Sequence, residues 1–281
     1  MGKIKNLRES LAGFLKESDI GLMYSSYDII GDIAIIKIPK SLIHKKKSIS
    51  EAFHAFLPNI RTVAMILGPT TDTFRTRDLK IIYGEDNTET IYREHGCFFK
   101  VDIRKVFFSP RLSFERQRIA EIVKAGETII NMFCGVGTFS ILIAKKNSNV
   151  KVYSIDVNPD AYRYLVENVR LNQMDDKVIP LLGDARDVIF SYDFKGPVDR
   201  VIMPLPEYAY RFLDVAINVL KEGGMLHYYD VAGDFHPEGE ALERIKKEAS
   251  NLKRNVEIEK SRIVRSVGQR KYHIVVDARV F

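Results

Sequence analysis

The residues whose spacing bears most directly on chemistry are Gly135 and Gly137 in "NMFCGVGTFS", followed nineteen residues later by Asp156 and then by Asp184 in "LLGDAR". Two glycines one residue apart, just after the apolar pair Ile129-Ile130, let a backbone turn sharply beside a bound ligand. A carboxylate at the end of the next strand is placed to accept both hydroxyls of a ribose. A second carboxylate, one strand further on, is placed to receive an adenine amino group. Together they describe an adenosine site. The competing reading is structural: Asp156 caps the helix that starts at Pro159, and Asp184 only opens a turn. A dinucleotide fingerprint needs a third glycine three residues beyond the second. That position is Ser140, which sets aside a nicotinamide-dependent oxidoreductase.

From residue 128 onward, short β-rich runs alternate with helical patterns, the signature of a parallel sheet with crossover helices. Strands are expected at 128–133, 150–155, 178–182, 199–203 and 225–229, with helices at 138–146, 159–172 and 207–221. The tail "NVEIEKSRIVRSVGQRKYHIVVDARVF" gives two β-rich runs with no helix between them, so they should pair antiparallel. Five parallel strands closed by such a pair make the outline of a class I methyltransferase dependent on S-adenosyl-L-methionine (AdoMet), an α/β, Rossmann-like fold with a seven-stranded sheet. AdoMet carries no pyrophosphate, so the close approach provided by the third glycine is not required.

The first hundred residues follow other rules. "SSYDIIGDIAIIKIP" reads as two strands broken at Gly31-Asp32, a helix covers roughly 48–57, and "CFFKVDIRKVFFSP" is strand-like. A helix at 113–125, "SFERQRIAEIVKA", with Ser113 as its N-cap, opens the second region. The expected organisation is a small α+β RNA-binding or accessory domain over 1–112 and a catalytic domain over 113–281.

With 46% hydrophobic and 28% charged residues in 281, the composition is that of an ordinary folded chain. A formal charge of +6 and a pI near 9.1 favour a polyanionic partner. The cations crowd ahead of the glycine turn, in "HKKK" (44–47), "RTR" (75–77) and "RKVFFSPRLSFERQR" (104–118), so the front half is the half expected to meet the anion. Cys97 and Cys134 have no partners at metal-ligand spacing, so neither a disulfide framework nor a metal site is indicated. No apolar run approaches the ~18 residues of a membrane span, and the start "MGKIKNLRESLAGFLKES" is briefly amphipathic, unlike a secretory signal. A cytoplasmic setting is expected.

Six segments carry a resemblance: "VDIRKVFFSPRLSFERQRI", "NMFCGVGTFS", "IDVNPDAYRYLVENVRLN", "GDARD", "RVIMPLPEYAYRFLDVA" and "GGMLHYY". Together they resemble the archaeal and eukaryotic tRNA (guanine-N1)-methyltransferases, which modify the purine just 3′ of the anticodon, and their wyosine-pathway relatives. The likeness runs from about Ser26 to the C-terminus. It implies AdoMet as cofactor and tRNA as partner, through the anticodon stem-loop and with tRNA-Phe foremost, for a protein acting as a monomer. The chain is expected to begin past the further N-terminal domain with which some members grip the tRNA elbow. The resemblance implies that Glu115 in "SFERQR" is the general base and that Arg75 in "TFRTRDL" supports the target base. It places Leu112, Arg116, Phe133, Val136, Asp156, Val157, Asp184, Ala185 and Pro206 around the cofactor. Chemistry agrees with those types. N1 of guanine must lose a proton as the methyl arrives, which calls for a carboxylate in reach. Charge then builds on the exocyclic oxygen, where a guanidinium offsets it. Taken without the resemblance, Glu115 only favours a helix N-terminus and Arg75 is a solvated cation.

Two departures from the family pattern matter. Where the guanine-N1 enzymes have Asn-Leu-Pro after the fourth strand, this chain has Pro204-Leu205-Pro206, and Pro204 offers neither a side-chain donor nor a backbone N–H. The apolar rim suits the wider tricycle 4-demethylwyosine, whose C7 the wyosine branch methylates. Both products stay open, N1-methylguanosine and the C7-methylated tricycle. The second departure is Asn131, where relatives have Asp. Phe107-Phe108 is either a stacking surface for an extruded base or core. His227 is read as a packed histidine and Cys134 as a small filler. Two rival readings are an AdoMet-dependent aminocarboxypropyl transferase of the wyosine pathway and a non-enzymatic RNA-binding protein.

Overall fold

The computed structural model describes residues 6–68, 74–194, 196–233 and 238–281. The chain divides into two compact units, Met1–Leu112 and Ser113–Phe281.

In the first unit, α1 (Leu7–Ala12) and α2 (Glu17–Ile20) precede strands β1 (Tyr27–Ile30) and β2 (Ile33–Ile36), helix α3 (Lys46–Phe56), and strands β3 (Thr62–Ile66) and β4 (Leu79–Tyr83). They form one sheet in the order β1-β2-β3-β4, with β2 and β3 parallel and the other neighbours antiparallel. Helix α3 turns Ile49, Ala52 and Phe53 inward at the spacing that lines one helical face, and Ile49 and Phe53 pack with Ile36, Val63 and Met65. A hairpin of β5 (Glu89–Glu94) and β6 (Cys97–Asp102) completes the unit. The β1–β2 turn has to be glycine: Gly31 takes φ +57, and a Cβ there would stand 2.1 Å from Thr90 Oγ1.

The second unit holds α4 (Ser113–Ile122), β7 (Thr128–Asn131), α5 (Thr138–Lys146), β8 (Lys151–Asp156), α6 (Pro159–Leu171), β9 (Val178–Leu182), α7 (Ala185–Ser191), β10 (Val198–Met203), α8 (Leu213–Val219), β11 (Leu220–Gly233), α9 (Gly239–Asn251), β12 (Val256–Gly268) and β13 (Lys271–Val280). Its seven strands run in the order β12-β13-β11-β10-β7-β8-β9. All are parallel except β13, which lies antiparallel between β11 and β12. The tail thus pairs as its sequence requires. Because β13 fits between two strands, its residues 273–278 are buried on both faces, unlike those of β12 at the edge.

The chain winds from β7 through β8 to β9 in one direction and then returns to the other side of β7 with β10. Such a reversal leaves a crevice at the carboxyl ends of the strands, where open α/β sheets bind ligands. Elsewhere the elements depart from expectation in detail. Residues 207–221 hold a short 3-10 turn, Ala209–Phe212, and then α8, with β11 already starting at Leu220. Helix α4 ends at Ile122 and begins at Ser113 itself.

Candidate active site

Three strand ends build the cradle. After β7 the chain turns through Gly135 (φ +55) and Gly137 (φ +91), left-handed conformations that glycine adopts without strain. The Gly135 N–H donates to Asp156 Oδ2 at 2.6 Å, and the Asn158 N–H donates to Asp156 Oδ1 at 3.0 Å. Burial pushes the Asp156 carboxyl above the usual carboxylate value, and those backbone N–H groups pull against that shift. The capping role falls to Asn158, whose side chain accepts from the Asp160 N–H at the start of α6. Asp156 is therefore tied to the glycine turn, and each oxygen keeps a lone-pair direction for a hydroxyl. Asp184 does cap its helix: it accepts from the Arg186 N–H at 2.8 Å while remaining exposed.

Ser140, in place of a third glycine, is fully buried and accepts from Asn131 Nδ2 at 3.1 Å and from Ser154 Oγ at 2.7 Å. This leaves Asn131 Oδ1 as a buried acceptor without a hydrogen-bond partner. An acceptor of that kind at the end of β7, beside two left-handed glycines and a ribose-type carboxylate, fits a nucleoside that also carries an ammonium group. Burial holds the Cys134 thiol well above its ordinary pKa, with Asp156 adding to the effect, in keeping with a small filler.

Glu115 lies in the first turn of α4 and is 1% exposed. A carboxylate that deep requires countercharge and donors. Tyr229, on β11, donates its hydroxyl to Oε1 at 2.7 Å, and Arg118 donates Nη2 to the same oxygen at 2.6 Å. Arg262, on β12, bonds Oε2. The arrangement continues across the sheet. Arg118 Nη1 reaches Asp277 Oδ2 on β13 at 2.5 Å. Asp277 Oδ1 accepts from His227 Nδ1 at 2.6 Å, His227 Nε2 meets Arg200 Nη1 at 2.5 Å, and Arg200 pairs with Glu127.

Since Arg200 can only donate, His227 Nε2 accepts and its Nδ1 carries the proton. Burial lowers the His227 pKa, against the pull of Asp277, in keeping with a neutral ring. Burial alone would raise Asp277, but His227 and Arg118 hold it far below the carboxylate range. Burial drives the Tyr229 phenol well up, so it stays a donor.

Of the residues expected around a cofactor, Val136, Ala185, Arg116 and Pro206 are buried, Phe133 is half-buried edge-on against Phe212 at 5.1 Å, and Val157 is 43% exposed. Pro204 directly follows β10 and is half-buried. Leu112 and Arg75 belong to the first unit. Arg75 takes φ +57, and its guanidinium lies 4.8 Å over the Phe107 ring. Nearby, Asp28 pairs with Arg111 and Arg77. Phe108 is core, edge-on to Tyr92, while Phe107 is half-buried beneath the Arg75 guanidinium. The residues around Glu115 that sequence reasoning missed are Arg118, Tyr229, Arg262 and Asp277. Only Arg118 carried a local signal, three residues after Glu115 in "SFERQR".

Residues 90–259 match the family model of the TRM5/TYW2 methyltransferase domain, and residues 7–88 match that of the TYW2 N-terminal domain. The chain belongs to the TRM5/TYW2 family. Among TRM5/TYW2 relatives it is 41% identical to a tRNA (guanine(37)-N(1))-methyltransferase Trm5b of Pyrococcus abyssi, over 99% of this chain and 79% of that protein. It is 40% identical to a tRNA 4-demethylwyosine(37)-methyltransferase Taw21 of Saccharolobus solfataricus, covering 92% and 94%. It is 35% identical to a tRNA(Phe) (4-demethylwyosine(37)-C(7)) aminocarboxypropyltransferase of Methanocaldococcus jannaschii, covering 90% and 97%. Two solved TRM5/TYW2 structures superpose on it. A complex of aTrm5 with tRNALeu does so with TM-score 0.85 at 35% identity, covering 99% of this chain and 79% of that one. M. jannaschii TYW2 in complex with AdoMet gives 0.70 at 30% identity, covering 91% and 99%.

Proposed function

We propose that this chain transfers a methyl group from AdoMet to the purine at position 37 of tRNA, at N1 of guanosine, at C7 of 4-demethylwyosine, or at both. The observation that carries the reading is Glu115. It is a buried carboxylate held by named donors, in the unit that also bears an adenosine-type cradle, in a chain about equally similar to methyltransferases of both products. Bound AdoMet supplies an electrophilic methyl carbon on a sulfonium.

The chain's own residues do the rest. Asp156 receives the ribose hydroxyls, Asp184 the adenine amino group, and Gly135 and Gly137 keep the turn free of side chains. Phe133, Val136, Val157, Ala185 and Pro206 shape the apolar wall, and Leu112 and Arg116 are further cofactor contacts. Glu115 accepts the proton that the target atom loses, as either product requires. Arg75 offsets negative charge on the base, and Pro204 forms a rim without donors. Residues 1–112 form the accessory RNA-contacting domain and 113–281 the catalytic domain. The protein works as a monomer in the cytoplasm, on tRNA-Phe.

The test is incubation with methyl-labelled AdoMet and two tRNA-Phe transcripts, one unmodified and one carrying 4-demethylwyosine, with the product nucleoside identified by mass. Transfer to the first alone assigns guanine-N1 and to the second alone assigns C7. Transfer to neither rejects the proposal. A second reading, aminocarboxypropyl transfer, is favoured by the match of residues 7–88 to the TYW2 N-terminal domain and by the relative at 35% identity. Methylthioadenosine as by-product, in place of S-adenosylhomocysteine, would establish it.

A further inference from the structure

Phe114 directly precedes Glu115 and is 69% exposed, the most exposed large hydrophobic side chain among the described residues. Its ring is not bare. The Arg262 guanidinium carbon stands 5.2 Å from the ring centroid, and the same guanidinium bonds Glu115 Oε2. Arg262 Nε is buried without a hydrogen-bond partner. One cation therefore spans an exposed aromatic ring and the buried carboxylate, and it extends from β12, one of the two edge strands of the sheet.

We propose that Phe114 is the stacking surface for the extruded target purine and that Arg262 is its displaceable cover, so that arrival of the base uncovers Glu115. This rests on the tRNA-methyltransferase reading above. An enzyme acting on a base must take it out of its stack, and an extruded base is held on an aromatic ring or a guanidinium plane. A purine between Phe114 and Arg262 would need about 7 Å, two van der Waals contacts of about 3.5 Å each. The observed 5.2 Å leaves no room, so a base on this face moves Arg262 aside. That movement removes Arg262 from Oε2, leaving Arg118 Nε on that oxygen at 3.2 Å and one of its lone pairs open to the proton of the incoming base. Arg118 and Tyr229 still fix Oε1, so the carboxylate keeps its orientation. Until then Glu115 is shielded from water.

The experiment compares Phe114→Leu, Phe114→Tyr and Arg262→Ala with the unaltered protein in single-turnover methyl transfer. In parallel, the fluorescence of tRNA bearing 2-aminopurine at the target position is followed on binding. AdoMet affinity and thermal midpoint serve as controls. Phe114→Leu should lose roughly 5- to 100-fold in kcat/KM, the equivalent of one base–aromatic stack. Phe114→Tyr should restore it, because only the aromatic face is in question. Phe114→Leu should also change the bound 2-aminopurine signal, whereas Arg262→Ala, which removes only the cover, should leave that signal as in the unaltered protein. A Leu variant equal to the unaltered protein in rate and fluorescence, or an Arg262→Ala variant that loses the 2-aminopurine change as Phe114→Leu does, overturns the proposal. If the unaltered protein binds AdoMet and tRNA but transfers no methyl, the functional reading fails, and the fluorescence comparison still decides the stacking role of Phe114.

Discussion

Arg118 and Asp277, 159 residues apart in the chain, meet with Nη1 of one 2.5 Å from Oδ2 of the other. Through this pair the acid at the head of α4 is connected to the antiparallel strand β13, and from there to His227, Arg200 and Glu127. The carboxylate is restrained in such a line, because Arg118 is itself held on its far side by Asp277. Glu115 is positioned by the sheet as well as by its own helix.

Glu115→Gln keeps the shape and the Tyr229 contact but removes the charge and the basicity. Methyl transfer should fall by about 10²- to 10⁴-fold, the usual contribution of a general base. AdoMet affinity, measured by calorimetry, should remain within a factor of two or so, since the change lies off the glycine turn and Asp156. A variant with ordinary turnover would remove Glu115 from the chemistry.

Asp156→Asn replaces the carboxylate that accepts from Gly135 and Asn158. Charge-assisted hydrogen bonds contribute about 1.5–3 kcal/mol each, so AdoMet Kd should rise by roughly 10- to 100-fold. The tRNA affinity measured without AdoMet should not change. Equal loss of both would mean that the turn has collapsed.

Gly137→Ala should destabilise the protein by about 1–3 kcal/mol in urea unfolding. Two causes add: φ is +91, and the new Cβ would stand 2.5 Å from Leu165 Cδ1. Shortening the neighbour in a Gly137→Ala/Leu165→Ala double variant relieves only the second, so the strain should persist.

The pH dependence of stability has a defined sign at His227. The folded state lowers its pKa by burial, whereas the unfolded chain protonates the ring below about 6.5. The unfolded state then binds more protons, and stability falls as pH drops below that value, with a slope approaching about 1.4 kcal/mol per unit. His227→Gln should flatten the thermal-midpoint curve between pH 5 and 7. Asp277 acts far lower: its depressed pKa makes its contribution present above the usual carboxylate range and lost only in strong acid.

Much of this was legible in the sequence, for identifiable reasons. The parallel strands and the closing pair carry β-branched runs separated by turn residues, so their order and type were accessible. Helix α9 was not. Only Ala241, Ile245 and Ala249 of its thirteen residues are buried, and alanines give little hydrophobic contrast. Helix α7 is only about two turns long and opens directly from Asp184, which read as a turn. Gly135, Gly137 and Asp156 announced themselves because a backbone turn demands glycine and its spacing to the next strand is fixed. The support of Glu115 could not be read in this way. Tyr229, Arg262 and Asp277 come to it from three strands, and no local period links residues so far apart. The Phe107-Phe108 pair stayed undecided for the opposite reason, since two adjacent aromatics look alike whether they are core or open; the structure buries Phe108 and half-buries Phe107.

The placement of β13 between β11 and β12 has a consequence for biosynthesis. Synthesis proceeds from the N-terminus, and the glycine turn, Asp156, Asp184 and α4 emerge well before residue 271. A nascent chain stalled short of that point would own every motif of its family and still lack the anchor for Arg118. Competence would then arrive in one late event, the insertion of a single strand, and long-range pairings of that kind are the slow ones in folding.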